Sequence, residues 1–271
     1  MKMRQHIAKQ ISYRNYFSDI QQFRNLIYSF AWKEIKQQYT QTFSGFFLLL
    51  MQPLISIIIF TLLFSYIIHI DSPLAPYPLY IFSGLVIWSS FSYLLQESCG
   101  SLVNNASLIK KNAFPRMVLP LSKVLVSLFQ FCVSFIILMI AMMIWGITPE
   151  LRWFLFIIPV VLYMIVALSV GFWISALSLR FKDLLVLVPY LIGFGVWLTP
   201  VFYPESLVLD RFSIALYVNP LAGCAVLFRY IMFGGDLPSA NYLIGFILPV
   251  ILFVTGLFRF IRSERFAADY L

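Results

Sequence analysis

The side chains able to make or break bonds are few and scattered in this sequence. Cys99, Cys132 and Cys224 lie far apart, each in or beside an apolar run, and their odd number gives neither a disulfide framework nor metal-type spacing. His6 and His69 are the only histidines, which leaves little for imidazole catalysis or metal ligation. The chain has no Walker A loop, no paired metal-ligand motif and no nucleophile elbow of the G-x-S-x-G type. No acid falls deep inside an apolar run, where intramembrane carboxylates would mark a proton or sodium pathway. Any chemical energy this protein uses must therefore come from another chain.

The composition names the solvent. Of 271 residues, 61% are hydrophobic and 11% charged, with a mean hydropathy of +0.90; soluble domains average roughly 45–50% apolar and about 25% charged. So short a chain cannot hide that many apolar residues from water, so lipid must surround most of it. The net charge of +8 would suggest nucleic acid for a soluble protein. Here the charges lie between apolar runs, which points to membrane topology and anionic lipid head groups, with no nucleic acid partner.

The elements follow from run length, since about 20 apolar residues cross the hydrocarbon core as a helix. The sequence predicts an all-α integral membrane protein with six transmembrane helices, at about 46–68, 78–96, 117–145, 153–179, 184–202 and 242–258. Residues 1–45 form an N-terminal segment, polar and basic in its first forty residues, with no early apolar core of a signal peptide. Within it Ile27, Phe30, Ala31 and Ile35 recur at helical spacing among Arg24, Lys33 and Lys36, the pattern of an amphipathic interface helix. Residues 203–241 are apolar but broken by Pro204, Pro220, Gly234, Gly235 and Pro238, which predicts re-entrant helices between the fifth and sixth spans. Residues 259–271 form a tail.

Six spans put both termini and the connections 97–123 and 179–184 on one side. That side holds 16 of the 19 Lys and Arg residues, and only Arg152, Arg211 and Arg229 fall on the other. The bias sets the first side, with both termini, as cytoplasmic. Lys123, near the start of the third span, is expected to snorkel to the interface.

Several landmarks occur in order along the chain. They are Trp32–Tyr39 and Gly45, Gln52-Pro53-Leu54, Asn104–Arg116 followed by Val118-Leu119-Pro120, Ser175–Asp183, Thr199–Tyr203, Asn219-Pro220-Leu221 with Phe228-Arg229, and Glu264–Asp269. This order resembles the permease subunits of polysaccharide-exporting ABC transporters, which carry lipid-linked O antigens, capsules or teichoic acids. Lys182-Asp183 stands where that family usually has Arg-Asp, and Lys33-Glu34 where it often does. Both keep the charge signs, although Lys cannot copy a bidentate Arg contact.

The resemblance implies a homodimer of this chain with two ATP-binding subunits, ATP and Mg on those partners, and no cofactor here. It implies an inner-membrane location and a lipid-linked glycan substrate. An ATPase-coupling loop is then expected at Asn105, Leu108, Lys110, Lys111, Phe114, Pro115 and Arg116, and a second cytoplasmic contact at Arg180, Lys182 and Asp183. Sugars have apolar faces on which aromatic rings stack. Tyr80, Trp88 and Phe91 on the second span, and Tyr190, Phe194 and Trp197 on the fifth, are candidates to line a channel. The alternative is that these rings pack helices or sit in interfacial belts. Arg229 would meet a diphosphate or carboxylate, or else cap a helix carbonyl end. A drug or lipid exporter permease and a non-transporting scaffold remain alternatives at this point.

Overall fold

The computed structural model describes residues 20–40, 51, 54–55, 57–67, 74–112 and 114–264. Residues 1–19, residues 41–50 with Gly45, then Gln52, Pro53 and Ser56 within the first expected span, residues 68–73, Ala113 and the tail from Arg265 lie outside the described residues. Among the described residues all regular structure is helical: α1 (Arg24–Thr40), a π-helical stretch Leu62–Ile67, α2 (Tyr77–Cys99), α3 (Ala106–Lys111), α4 (Val118–Ile144), α5 (Ile157–Ser178), α6 (Leu184–Leu198), α7 (Ser206–Val218), α8 (Pro220–Phe233) and α9 (Ile244–Ser263). Short 3-10 turns, Leu151–Phe156 and Ala240–Leu243, lead into α5 and α9.

Among the described residues four segments are long and apolar enough to cross a membrane: Tyr77–Cys99, Val118–Ile144, Leu151–Ser178 and Ala240–Ser263. A fifth arises if the bent pair Phe212–Val218 and Pro220–Phe233, which meet at 86°, is taken as one. Within the predicted span 184–202 the helix is shorter than the apolar run. Helix α6 stops at Leu198, and Thr199 is extended (φ −102°, ψ 136°). The cause is Pro200, whose ring excludes the helical conformation from the residue before it. At about 1.5 Å per residue α6 is about 22 Å long, short of the roughly 30 Å hydrocarbon core.

The two short helices expected between 203 and 241 are present as α7 and α8. Their break falls at Asn219-Pro220, where Asn219 leaves helical geometry and its side chain accepts the Leu221 N–H. Pro220 follows at the first helical position, where its missing N–H costs nothing.

Helix α2 is the centre of the bundle. It packs on α4, α5 and α8, while α5 packs on α9 and α1 on α4. Close approach of α2 and α5 depends on Gly171, where an added Cβ would come within 2.6 Å of the Ser98 side chain. Three α2 serine hydroxyls are satisfied locally: Ser83 donates to the Tyr80 carbonyl, Ser90 to Val86 and Ser92 to Trp88. That is how polar side chains are kept in a segment with no water to bond. The start of α4 and the ends of α2, α5 and α9 gather with α1 and α3 at one pole, called here the basic end; Arg229 lies at the other.

Candidate functional site

At the basic end, α3 and its flanks form a projection held from inside. Asn105 precedes the helix and donates through Nδ2 to the Ser101 carbonyl (2.9 Å). Ile109 is buried beneath it, while Ser107, Lys110, Lys111 and Asn112 are exposed. The two lysines sit in the last turn, where they complement the helix C-terminal dipole.

The residues after α3 turn inward. Phe114 and Arg116 are both buried. The Arg116 backbone N–H donates to Glu264 Oε1 (2.6 Å), its guanidinium donates to the Phe114 carbonyl, and it lies 5.2 Å from the Phe114 ring centroid. Phe114 also meets Phe30 of α1 edge-on at 6.1 Å. Of the expected coupling loop, then, Lys110 and Lys111 face outward, Asn105, Leu108 and Pro115 are half-buried, and Phe114 and Arg116 are internal anchors. Arg180, Lys182 and Asp183 are exposed on the turn between α5 and α6. Beneath them the Ser175 and Ser101 hydroxyls meet at 3.0 Å, joining the two connections.

Lys123 does not snorkel. Its Nζ lies 2.7 Å from Glu34 Oε2 and 2.8 Å from Glu97 Oε2, and its side chain is 12% exposed. Tyr93 donates its hydroxyl to Glu34 Oε1, and Gln130 donates to Gln38 one turn further along α1 (3.3 Å). The reason is reach: carboxylates on two flanking helices lie within 3 Å of Nζ, and a largely buried ammonium is stable only when paired. A cleft of about 440 Å³ opens beside the triad, lined by Lys33, Gln37, Asn105, Leu108 and Ser122 among others. It lies between α1 and α3. Glu34, Glu97, Tyr93 and Glu264 were not predicted as site residues, although Glu97 closes a span and Glu34 and Glu264 sit in landmarks.

At the opposite pole Arg229 of α8 is buried (1% exposed). Its Nη1 donates to the Pro200 carbonyl (2.5 Å) and the Tyr80 hydroxyl (2.9 Å), and its Nη2 to the Val201 carbonyl (2.8 Å). The carbonyl-capping geometry is the one the structure shows, because Pro200 and Val201 follow the C-terminal end of α6. Tyr77 reinforces it by donating to the Phe202 carbonyl, and Asn219 donates to Leu198 O and Thr199 Oγ1 (3.0 Å each). Burial pushes the nearby Glu205 carboxyl above its ordinary range, opposed by the Arg229 charge.

The two aromatic series are separated. Tyr80, Trp88 and Phe91 are buried, with Tyr80 beneath Arg229 and Trp88 and Phe91 in contact with each other. Tyr190, Phe194 and Trp197 are 63%, 72% and 53% exposed on α6. A groove of about 370 Å³ brings Trp88 and Phe91 to the same wall as Leu191, Thr199 and Asn219. Tyr80 is thus committed to internal packing, whereas Tyr190 and Phe194 face outward and the half-exposed Trp197 packs on Phe60 and Phe202.

The chain is 27% identical to the O-antigen export system permease protein RfbA of Myxococcus xanthus, over 92% of its own length and 96% of the relative's. It is 30% identical to a protein of the same name from Klebsiella pneumoniae, over 81% of this chain and 86% of that one. The polysialic acid transport protein KpsM of Escherichia coli is 21% identical over 84% of this chain and 90% of its own. A family model described as ABC-2 type transporter matches residues 25–233. The chain belongs to the ABC-2 type transporter family.

Proposed function

We propose that this protein is the membrane permease of an ABC exporter that moves a lipid-linked polysaccharide outward across the inner membrane. The observation that carries this reading is the match, over almost the full length of both chains, to proteins named as O-antigen export permeases. ATP hydrolysis takes place on a separate subunit, which holds ATP and Mg. Two copies of this chain and two ATP-binding subunits make the working unit. The basic end faces the cytoplasm, in keeping with the concentration of Lys and Arg there. α1 lies along that interface, a first span precedes α2, and α6 serves as a short span completed by the Arg229-held segment. The paired helices α7 and α8 enter the outer leaflet.

In this reading the exposed face of α3, with Lys110 and Lys111, docks on the ATPase, and Arg180, Lys182 and Asp183 form the second contact. Phe114 and Arg116 hold α3 in place from below. The glycan passes the exposed rings Tyr190, Phe194 and Trp197, which suit sugar faces without gripping them tightly. ATP binding biases α3, and the bundle shifts between two arrangements. O antigen, capsule and teichoic acid share the chemistry this path requires: a hydrophilic chain on a polyprenyl-type lipid.

The test is co-purification of the tagged chain from its own cell, followed by ATP-dependent glycan flux in vesicles. A stoichiometric ATPase and ATP-dependent flux are expected. A chain that emerges alone, with no such flux, sinks the reading.

A further inference from the structure

Lys123 joins three helices at the level where the membrane bundle meets the pole that carries α3. Glu34 comes from α1, Glu97 from the last turn of α2 and Lys123 from the second turn of α4. Arg152 pairs with Glu150 at the far end. Tyr93 and the Gln38–Gln130 contact extend the polar seam along α1, so that helix is tied to the bundle by a line of half-buried hydrogen bonds. The same helix reaches the α3 connection through Phe30, which packs on Phe114. The connection is gripped on its other side by Glu264 at the end of α9. The cleft beside Lys123 is bordered by Asn105 and Leu108 of that connection, so no packed wall isolates the triad from α3.

We propose that Lys123 is a positioning residue for energy coupling: through Glu34 it fixes α1 against α2 and α4, and through Phe30 and Phe114 it sets where α3 stands relative to the bundle. The inference rests on the exporter reading for what α3 contacts, but the triad itself is read from geometry. Three charges fit this role better than apolar packing does. An ion pair has strong directional and distance dependence, so a helix held by one moves as a body with its partner. Two carboxylates sharing one ammonium also make the clasp asymmetric. Without Lys123, Glu34 and Glu97 are left facing each other and repel, which drives α1 off the bundle instead of merely loosening it.

A plain stabilising role is the competing account, and neutral replacement separates the two. The triple variant Lys123→Met, Glu34→Gln, Glu97→Gln buries no unpaired charge, and such replacements commonly keep or raise stability. The experiment uses the whole complex in vesicles and reads glycan exported per ATP hydrolysed, beside hydrogen exchange across residues 24–40 and 105–116. Lys123→Met alone and the triple variant are both expected to lose about fivefold or more of the flux per ATP. Exchange should rise in both segments, and Lys123→Arg should restore both readouts to within about twofold, since a guanidinium also spans two carboxylates. A triple variant that assembles and exports with unaltered flux per ATP overturns the inference, leaving the triad a matter of stability. So does lost flux with unaltered exchange in 24–40. Absent ATP-dependent flux in the unsubstituted protein would instead indict the exporter reading, so the two failures are distinguishable.

Discussion

Arg229 lies over Tyr80, its guanidinium carbon 3.6 Å from the ring centroid, while the same group donates to the Pro200 and Val201 carbonyls. One side chain of α8 thus holds α2 and the segment that follows α6. The planar fork is what allows a face-on ring contact and edge-on hydrogen bonds at once. Lysine at this position reaches one carbonyl and leaves the others buried without a donor, at about 1–3 kcal/mol each. Arg229→Lys is therefore expected to lower the melting temperature of the purified protein while export persists. Normal stability with lost export would mean that the guanidinium meets substrate directly.

Gly84 is where the chain makes room for this clamp. A Cβ there would stand 2.8 Å from Arg229 Nη2 and 2.8 Å from the Val201 carbonyl. Gly84→Ala should cost about 1–3 kcal/mol by overpacking. Thermal unfolding compared with Gly193→Ala, where nothing lies within 4 Å of an added Cβ, isolates the local clash from helix propensity.

The coupling connection divides into anchors and contacts. Phe114→Ala empties a buried site and should destabilise by about 3–5 kcal/mol. Lys110→Ala with Lys111→Ala removes exposed charges and should change stability by no more than about 0.5 kcal/mol per site. The double variant is expected to weaken binding of the ATP-hydrolysing partner, with the difference shrinking as salt is raised. Pull-down at two ionic strengths checks it; equal binding at both would remove α3 from the interface.

The aromatic series separate in the same way. Trp88 is buried against α6, where an added Cβ at Gly195 would meet its ring at 3.0 Å. Trp88→Ala should cost about 3–5 kcal/mol. Phe194→Ala with Trp197→Ala is expected to spare the fold of the protomer and reduce glycan flux. Unchanged flux in that double variant rules out channel lining by α6.

Length and polarity alone placed α2, α4, α5 and α9, because a lipid-solvated helix must be a long apolar run whatever it packs against. Pro and Gly punctuation likewise placed the break at Asn219-Pro220, since a missing N–H and a restricted φ act locally. The basic loops were legible from charge alone, whereas the helix within 104–116 was expected only from the family resemblance. The partners of the two informative charges were not. Lys123 meets Glu34 across 89 residues and Arg229 meets Tyr80 across 149. In one dimension a lysine near a span end looks like a side chain that snorkels, and an arginine in a broken segment reads equally as a ligand contact or as a cap on a helix carbonyl end. Only helix packing decides which carboxylate or carbonyl comes within 3 Å. Burial then makes that pairing obligatory, because an ionised group away from water is stable only beside its partner.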